Sequence, residues 1–451
     1  MSTQRRVAVL GGGITGLAAA WELSRLADTP HATVFEAEHV GGKLRASPFA
    51  GLPSLDEAAD AFLARVPWGR QLCAELGLVD LVSPATGSAF VWYAGRLHAL
   101  PDGLVLGVPA GLSGLIRSRL LSPLGVVRAG WDLLRPATPP GHDNLGRLIR
   151  DRFGAQVLER LVDPLVGSIN AGDADRLSLR ASTPQIAEPA AGSRSLLLAL
   201  RRSRRATPAA GPVFLAPRTG MASLAASLAE QLADAGTAIV ARRVETVARD
   251  GVRWRVDGEV FDAVIMATPA QTAARLVGAV SPDAAAGLAS IPYAGVVMVA
   301  LHVARPVGPA GSGYLVPKPV QRHVTAGSLA SHKWAHWQPA DGGALLRVSL
   351  GRYGNEAPLD FSDDTAVRTA VDEVSAHLGT TLDPVAHRVT RWPDSFPQYL
   401  PHHLERVEAI ERTLARDCPG LVVAGAAYRG IGVPACIRQG RNAATAVASP
   451  R

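Results

Sequence analysis

Gly11, Gly13 and Gly16 stand in a G-x-G-x-x-G spacing whose intervening residues are Gly12, Ile14 and Thr15. The apolar run Val7–Leu10 precedes them and the helix-forming Leu17-Ala18-Ala19-Ala20 follows. That order is the strand–turn–helix context in which such glycines bind a dinucleotide. The first permits a tight turn, the second admits a pyrophosphate to the backbone, and the third lets helix and strand approach. The free N–H groups of the helix then face the phosphates. A second strand, Ala32–Phe35, ends at Glu36, 20 residues beyond Gly16. An acid there is placed to accept from a ribose hydroxyl. Ala37 and the cluster Gly41-Gly42-Lys43-Leu44-Arg45 come next. Two pliable glycines beside Lys43 bring backbone and cation towards the remaining phosphate charge.

Near the far end of the chain, Leu421–Ala424 reads as a strand ending at Gly425. A turn through Ile431, Gly432 and Val433 follows, then a helix to about Val447, with Pro434 suited to its first turn. Between the two ends, Phe214–Pro217 leads into a helix over about 222–235. A hairpin brackets Asp250-Gly251, and Phe261–Pro269 returns as a buried strand.

Residues 104–200 carry helical apolar spacing with arginines between. Val157–Val166 is helical up to Pro164, and Arg201–Arg205 with Pro208 reads as a solvated linker. Residues 290–355 alternate, as in Val296–Leu301 and Leu345–Leu350, which predicts a mostly antiparallel sheet. The fold class is α/β, with a Rossmann-type cofactor domain, a mixed-sheet substrate domain and a helical insertion. The expected boundaries are 1–80, 205–285 and 388–451 for the cofactor domain, 81–204 for the insertion, and 286–387 for the sheet.

The 451 residues allow two or three domains, and 47% hydrophobic with 19% charged residues excludes a disordered chain. Net charge is +7, yet only Lys43, Lys318 and Lys333 are lysines. No basic run alternates with aromatics, so no nucleic-acid partner is expected. Three scattered cysteines predict neither a disulfide framework nor a zinc site, and no metal site is expected; His402-His403 and His332/His336 have no supporting ligands. No leader peptide and no transmembrane span is expected, so the predicted location is the cytoplasm. The apolar helical segments with arginines allow a core-facing role, or a peripheral contact with an anionic membrane.

The Gly-Gly-x-x-Arg element resembles that of the FAD-dependent amine oxidase and desaturase superfamily. A narrower resemblance is to the oxygen-dependent protoporphyrinogen/coproporphyrinogen oxidases. It rests on Gly11–Ala20, Phe62–Pro67, Gly95–Gly103, Trp392-Pro393 with Pro397-Gln398-Tyr399, and Tyr428–Ile437. It implies FAD, with Val244 contributing backbone to the adenine. The loop Ala58-Ala59-Asp60-Ala61 and Trp392 lie by the flavin, and the turn at Gly425 and Ile431–Val433 faces the flavin edge. The family's loop glycine and serine are alanines here, and its Asn or Asp after the last strand is Ala426. The implied reaction is six-electron oxidation of coproporphyrinogen III, with O2 reduced to H2O2. The alternatives are protoporphyrinogen IX, an amine-oxidase or desaturase substrate, and a flavin-free tetrapyrrole carrier. Arg96, Lys333 and Arg347 are the candidate partners of substrate propionates. Handover of product to a ferrochelatase-type enzyme is the further expected partnership.

Overall fold

The computed structural model describes residues 4–26, 30–134, 141–206 and 211–448. Val7 and Val9 point to one side of their strand, Ala8 and Leu10 to the other, and all four are buried. A strand buried on both faces must lie inside a parallel sheet covered on both sides. Arg6–Leu10 is the middle of a five-stranded parallel sheet. Its order is Ala238–Ala241, His31–Glu36, Arg6–Leu10, Ala263–Met266, Leu421–Val423. The helices Ile14–Ser24, Ala222–Asp234 and Val433–Ala448 pack into the core on one face. On the other face lie Ala270–Val277, Pro282–Ala289, His403–Asp417 and the small sheet Val247–Asp250, Arg253–Val256, Glu259–Phe261. Arg6–Leu10 and Leu421–Val423, more than 400 residues apart, thus flank Ala263–Met266 in one sheet, so the cofactor unit is discontinuous in sequence.

A second sheet has seven strands, in the order Pro384–Pro397, Tyr293–Val303, Ala344–Leu350, Val324–Ser328, Gly313–Leu315, Phe90–Tyr93, Arg96–Ala99. Its pairings are antiparallel except Gly313–Leu315 with Phe90–Tyr93. Alternation again assigns the faces. Val297, Val299, Leu346, Val348 and Leu350 form a core that includes Ala366, Ala370 and Val374 of the helix Asp363–Leu378. Met298, Arg347 and Ser349 occupy the opposite face, turned towards the cofactor unit and the helical segments.

Several expectations shift. The 81–204 insertion, expected to be mostly helical, opens with Phe90–Tyr93 and Arg96–Ala99, which complete the seven-stranded sheet. Pro384–Pro397 pairs with Tyr293–Val303 well beyond position 388, so the sheet keeps residues given to the cofactor unit. Arg201–Arg205 is not a linker but the last half of the helix Leu196–Ala206, whose buried Leu196, Leu197 and Leu200 supply the packing that its arginines lack. Pro208 lies outside the described residues. The helix at Val157–Val166 does not stop at Pro164. It passes through as a ten-residue π-helix, Leu158–Gly167, a form that tolerates the missing N–H by rearranging the bonding ladder.

Candidate functional site: a dinucleotide cradle beside a sheet-faced cavity

Gly11 has φ +103°, and a Cβ there would sit 2.8 Å from the carbonyl oxygen of Ala267. At Gly16 a Cβ would lie 1.9 Å from the Gly11 carbonyl oxygen, so only glycine lets the helix Ile14–Ser24 begin so close to its strand. At Gly13 a Cβ would meet nothing within 4 Å. The first and third glycines are therefore filled by protein, while the second opens onto free space. Among the described residues no side chain caps the N-terminus of that helix. An uncapped terminus facing an open glycine is a ready anion site.

Glu36 closes the turn. Its Oε2 accepts from Gly12 N at 2.7 Å, and its Oε1 accepts from Glu38 N at 2.8 Å and His39 N at 3.3 Å. The carboxylate keeps acceptor capacity for a ribose hydroxyl. Ala37 is exposed just beyond it, and the buried Val244 lies shortly after the neighbouring strand Ala238–Ala241. Gly41 N donates to Gly12 O at 2.8 Å, so the second glycine pair is bonded directly to the first turn; Gly42 has φ +56°. Lys43 donates to the carbonyl of Ser395. It keeps solvent exposure although protein crowds it, and desolvation lowers its amine to about 8.

Burial alone would raise Asp60. The cations outweigh it and hold the carboxyl at about 2. Lys333 Nζ donates to both carboxylate oxygens, at 2.9 and 2.7 Å, Arg347 lies 3.2 Å away, and Trp334 Nε1 donates at 3.2 Å. Arg347 also donates to the carbonyl of Ala58. Lys333 and Arg347, expected as propionate partners, are instead both engaged by the Ala58–Ala61 loop expected to lie by the flavin. Nothing in local sequence joins them to Asp60, which is why a sequence reading misses the cluster. Neighbouring Asp56 is raised by burial to about 6, although Met221 N donates to it at 2.9 Å. Arg96 is exposed on the outermost strand, with Nε 3.3 Å from His98 Nε2.

The last turn is braced from behind. Gly425 has φ +132°. Tyr399 OH donates to Ala426 O at 2.6 Å and accepts from Gly430 N at 2.8 Å, and its ring stacks on His403 at 4.0 Å. These bonds shape the segment through Ile431 and Gly432 that enters the helix Val433–Ala448. That helix crosses Ile14–Ser24 so closely that a Cβ on Gly440 would lie 2.2 Å from Thr15 O. The start of Ile14–Ser24 thus lies against the middle of the last helix and beside Gly425, where a Cβ would be 3.7 Å from Thr15 Oγ1. Half-buried Trp392 donates to Glu57 O at 3.3 Å, with Arg45 over its ring at 4.8 Å. A sequence reading also misses Thr268. Its hydroxyl is buried with no partner among the described residues, and its backbone N would lie 3.3 Å from a Cβ on Gly11. An open glycine, an uncapped helix, a poised carboxylate and an orphaned hydroxyl fit a bound dinucleotide.

Beside this cradle is a cavity of about 190 Å³, lined by Gly167, Ser168, Val296, Met298, Ser349 and Phe396 among others. Ser349 is two residues from Arg347 on the same strand face, so one strand carries both the cavity wall and the clamp on Asp60. Arg352, the charged residue in the described lining, is neutralised by Asp163 of the π-helix through bonds of 3.0 and 2.7 Å. The cavity is therefore largely apolar with no free charge, suited to an uncharged reacting centre.

Comparison with known proteins agrees with this geometry. The model of the flavin containing amine oxidoreductase family matches residues 14–448. The coproporphyrinogen III oxidase of Mycobacterium tuberculosis (strain H37Rv) is 38% identical, over 99% of this chain and 98% of that protein. The protein of the same name from Bacillus subtilis (strain 168) is 31% identical, over 98% and 97%. A crystal structure from Exiguobacterium sp. 255-15, provisionally named a protoporphyrinogen oxidase, superposes with a TM-score of 0.88 at 28% identity, covering 99% of each chain. With that match over nearly its whole length, the chain belongs to the family of flavin-containing amine oxidoreductases.

Proposed function

We propose that this chain is an FAD-dependent coproporphyrinogen III oxidase. The observation that carries the reading is the placing of an apolar cavity on the same strand face as Arg347, whose clamp on Asp60 fixes a loop of the dinucleotide cradle. Full-length similarity to proteins named for that reaction supports it. In balance, one coproporphyrinogen and three O2 give one coproporphyrin and three H2O2. Bound FAD supplies the hydride-accepting and oxygen-reducing chemistry.

The protein's own residues bind, orient and exclude water. The Gly11–Gly16 turn and the helix after it hold the pyrophosphate, with Lys43 as counter-charge. Glu36 takes a ribose hydroxyl and Val244 the adenine. The Ala58–Ala61 loop and Trp392 position the ring, and the turn at Gly425 and Ile431–Val433 presents a helix N-terminus to its edge. The Asp163–Arg352 pair closes one wall of the cavity without offering a free cation there. Arg96, exposed at the sheet edge, is the candidate for a propionate at the periphery, while Lys333 and Arg347 serve the loop.

Among the described residues no helix is long and apolar enough to cross a membrane. The three cysteines are free and buried, in keeping with a reducing compartment. On this reading the enzyme works in the cytoplasm at the inner face of the membrane. It takes its porphyrinogen and O2 there and hands its product to a ferrochelatase-type enzyme. The test is aerobic turnover of coproporphyrinogen III beside protoporphyrinogen IX, followed by porphyrin fluorescence. Faster turnover of the tetracarboxylate supports the substrate assignment, and preference for the dicarboxylate overturns it.

A further inference from the structure

The last cofactor turn is tied down in its first half and open in its second. Tyr428 N donates to Gly425 O at 3.2 Å, Arg429 N to Gln439 Oε1 at 3.1 Å, and Gly430 N to Tyr399 OH at 2.8 Å. The next three N–H groups, of Ile431, Gly432 and Val433, have no hydrogen-bond partner among the described residues. Gly432 is exposed, and Ile431 and Val433 are half-buried. These donors stand at the start of the helix Val433–Ala448 and are the groups proposed above to meet the flavin edge.

Gly430, at φ +118°, is the joint between the two halves. Its N is held by Tyr399 and its carbonyl by Gln439 Nε2 at 3.3 Å. Glycine at positive φ has a wide conformational range, so these bonds fix which way the following amides point. Gln439 belongs to the helix that those amides open, whereas Tyr399 comes from outside it. Tyr399 follows the strand Pro384–Pro397, its carbonyl accepts from Ser178 N at 2.6 Å, and the preceding Gln398 Nε2 donates to Asn170 O at 2.9 Å. The phenol is therefore anchored on the substrate sheet and on the segment that follows the cavity-lining Gly167 and Ser168. Through its second bond, to Ala426 O, one oxygen spans both ends of the turn.

His403 fixes the phenol ring. The two rings stack with 18° between their planes, and His403 Nε2 lies 3.0 Å from Tyr428 O. A carbonyl only accepts, so Nε2 carries the proton. Burial lowers the imidazole to about 4, which leaves Nδ1 without a proton, buried and without a partner among the described residues. Tyr428, on the same turn, supplies a contrast: its hydroxyl is as deeply buried yet bonds nothing among the described residues.

We propose that Tyr399 and His403 are positioning residues for the flavin, aiming the Ile431–Val433 amides at its edge and so raising the reduction potential of the bound cofactor. Oriented N–H donors and the positive end of a helix favour the negative charge gained on reduction. The inference rests on the proposed placing of the flavin edge at this turn. The test is equilibration of the FAD-loaded full chain with a reference dye, reading the ratio of reduced to oxidised FAD at one fixed dye potential. Tyr399→Phe keeps the stacked ring and loses both hydroxyl bonds, so its ratio should fall roughly three- to tenfold below wild type, as for one hydrogen bond. His403→Leu should move the ratio the same way, and His403→Gln, which restores an N–H donor, should move it less. Tyr428→Phe should match wild type. Gly430→Ala, whose Cβ would lie 2.8 Å from Ala435 Cβ, distorts the turn directly and should lower the ratio at least as far as Tyr399→Phe.

A wild-type ratio in Tyr399→Phe beside a lowered one in Gly430→Ala overturns the brace while leaving the flavin at this turn. Wild-type ratios in both remove the flavin edge from the turn, and the brace with it. An equal fall in Tyr428→Phe and Tyr399→Phe also overturns the proposal, since loss of any buried hydroxyl would then suffice.

Discussion

Replacing Asp60 by asparagine removes the one anion that faces Lys333 and Arg347 within the cofactor loop. Asp60 is held at about 2, against an ordinary 3.8. At 1.36 kcal/mol per unit, ionised Asp60 contributes about 2 kcal/mol of stability at neutral pH. The sign follows from the depressed folded value. This contribution is present above the unfolded value near 4 and is lost as pH falls towards 2. Stranding a buried cation by deleting its partner typically costs about 3–5 kcal/mol. Here Lys333 and Asp60 keep 21% and 16% side-chain exposure, which relieves part of that cost. We therefore expect Asp60→Asn to lose about 2–3 kcal/mol at pH 7. It should appear as a lower urea midpoint of the apoprotein at unchanged slope, and the gap from wild type should narrow as pH falls through the interval from 4 to 2. A loss under ~0.5 kcal/mol, as for a solvated surface pair, would refute the cluster as the clamp on this loop.

Gly16→Ala puts a Cβ 1.9 Å from the Gly11 carbonyl, so the variant should purify with little or no FAD, whereas Gly87→Ala, with nothing within 4 Å, should stay fully yellow; absorbance per protein decides. Lys43, lowered by desolvation to about 8, should lose its proton as pH rises through that value. FAD affinity should then decline across it, and in Lys43→Met affinity should be lower and flat over the same range; a wild-type profile that is also flat removes Lys43 from phosphate binding. The same depressed value makes the apoprotein gain stability between about 8 and 10.5, where the unfolded chain binds more protons. Arg96→Ala should raise KM for coproporphyrinogen by roughly tenfold, as for one charge-assisted bond, with kcat little changed; unchanged kinetics would exclude it from the site.

What was legible in the sequence was local. The Gly11–Gly16 turn and Glu36 depend on one strand–turn–helix unit, and each of those residues takes the conformation its type requires. What was illegible came from convergence across the fold. Lys333 meets Asp60 from 273 positions away and Arg352 meets Asp163 from 189, pairings that no spacing records. Tyr399 was visible only as part of a motif. Its work of bonding both Ala426 and Gly430 needed the folded turn. Composition misled at Arg201–Arg205, where a run of arginines suggested a linker but Leu196–Leu200 supplied a helical packing face. The Phe90–Tyr93 hairpin was hidden for another reason: a short strand joins whichever sheet has an open edge, and that edge belongs to residues more than 200 positions later.

The most direct measurement follows oxygen and porphyrin together when the yellow, purified protein meets coproporphyrinogen III in air. The account predicts three H2O2 formed for each fluorescent coproporphyrin released. A protein that retains its FAD yet yields neither product, from coproporphyrinogen or protoporphyrinogen, would contradict it.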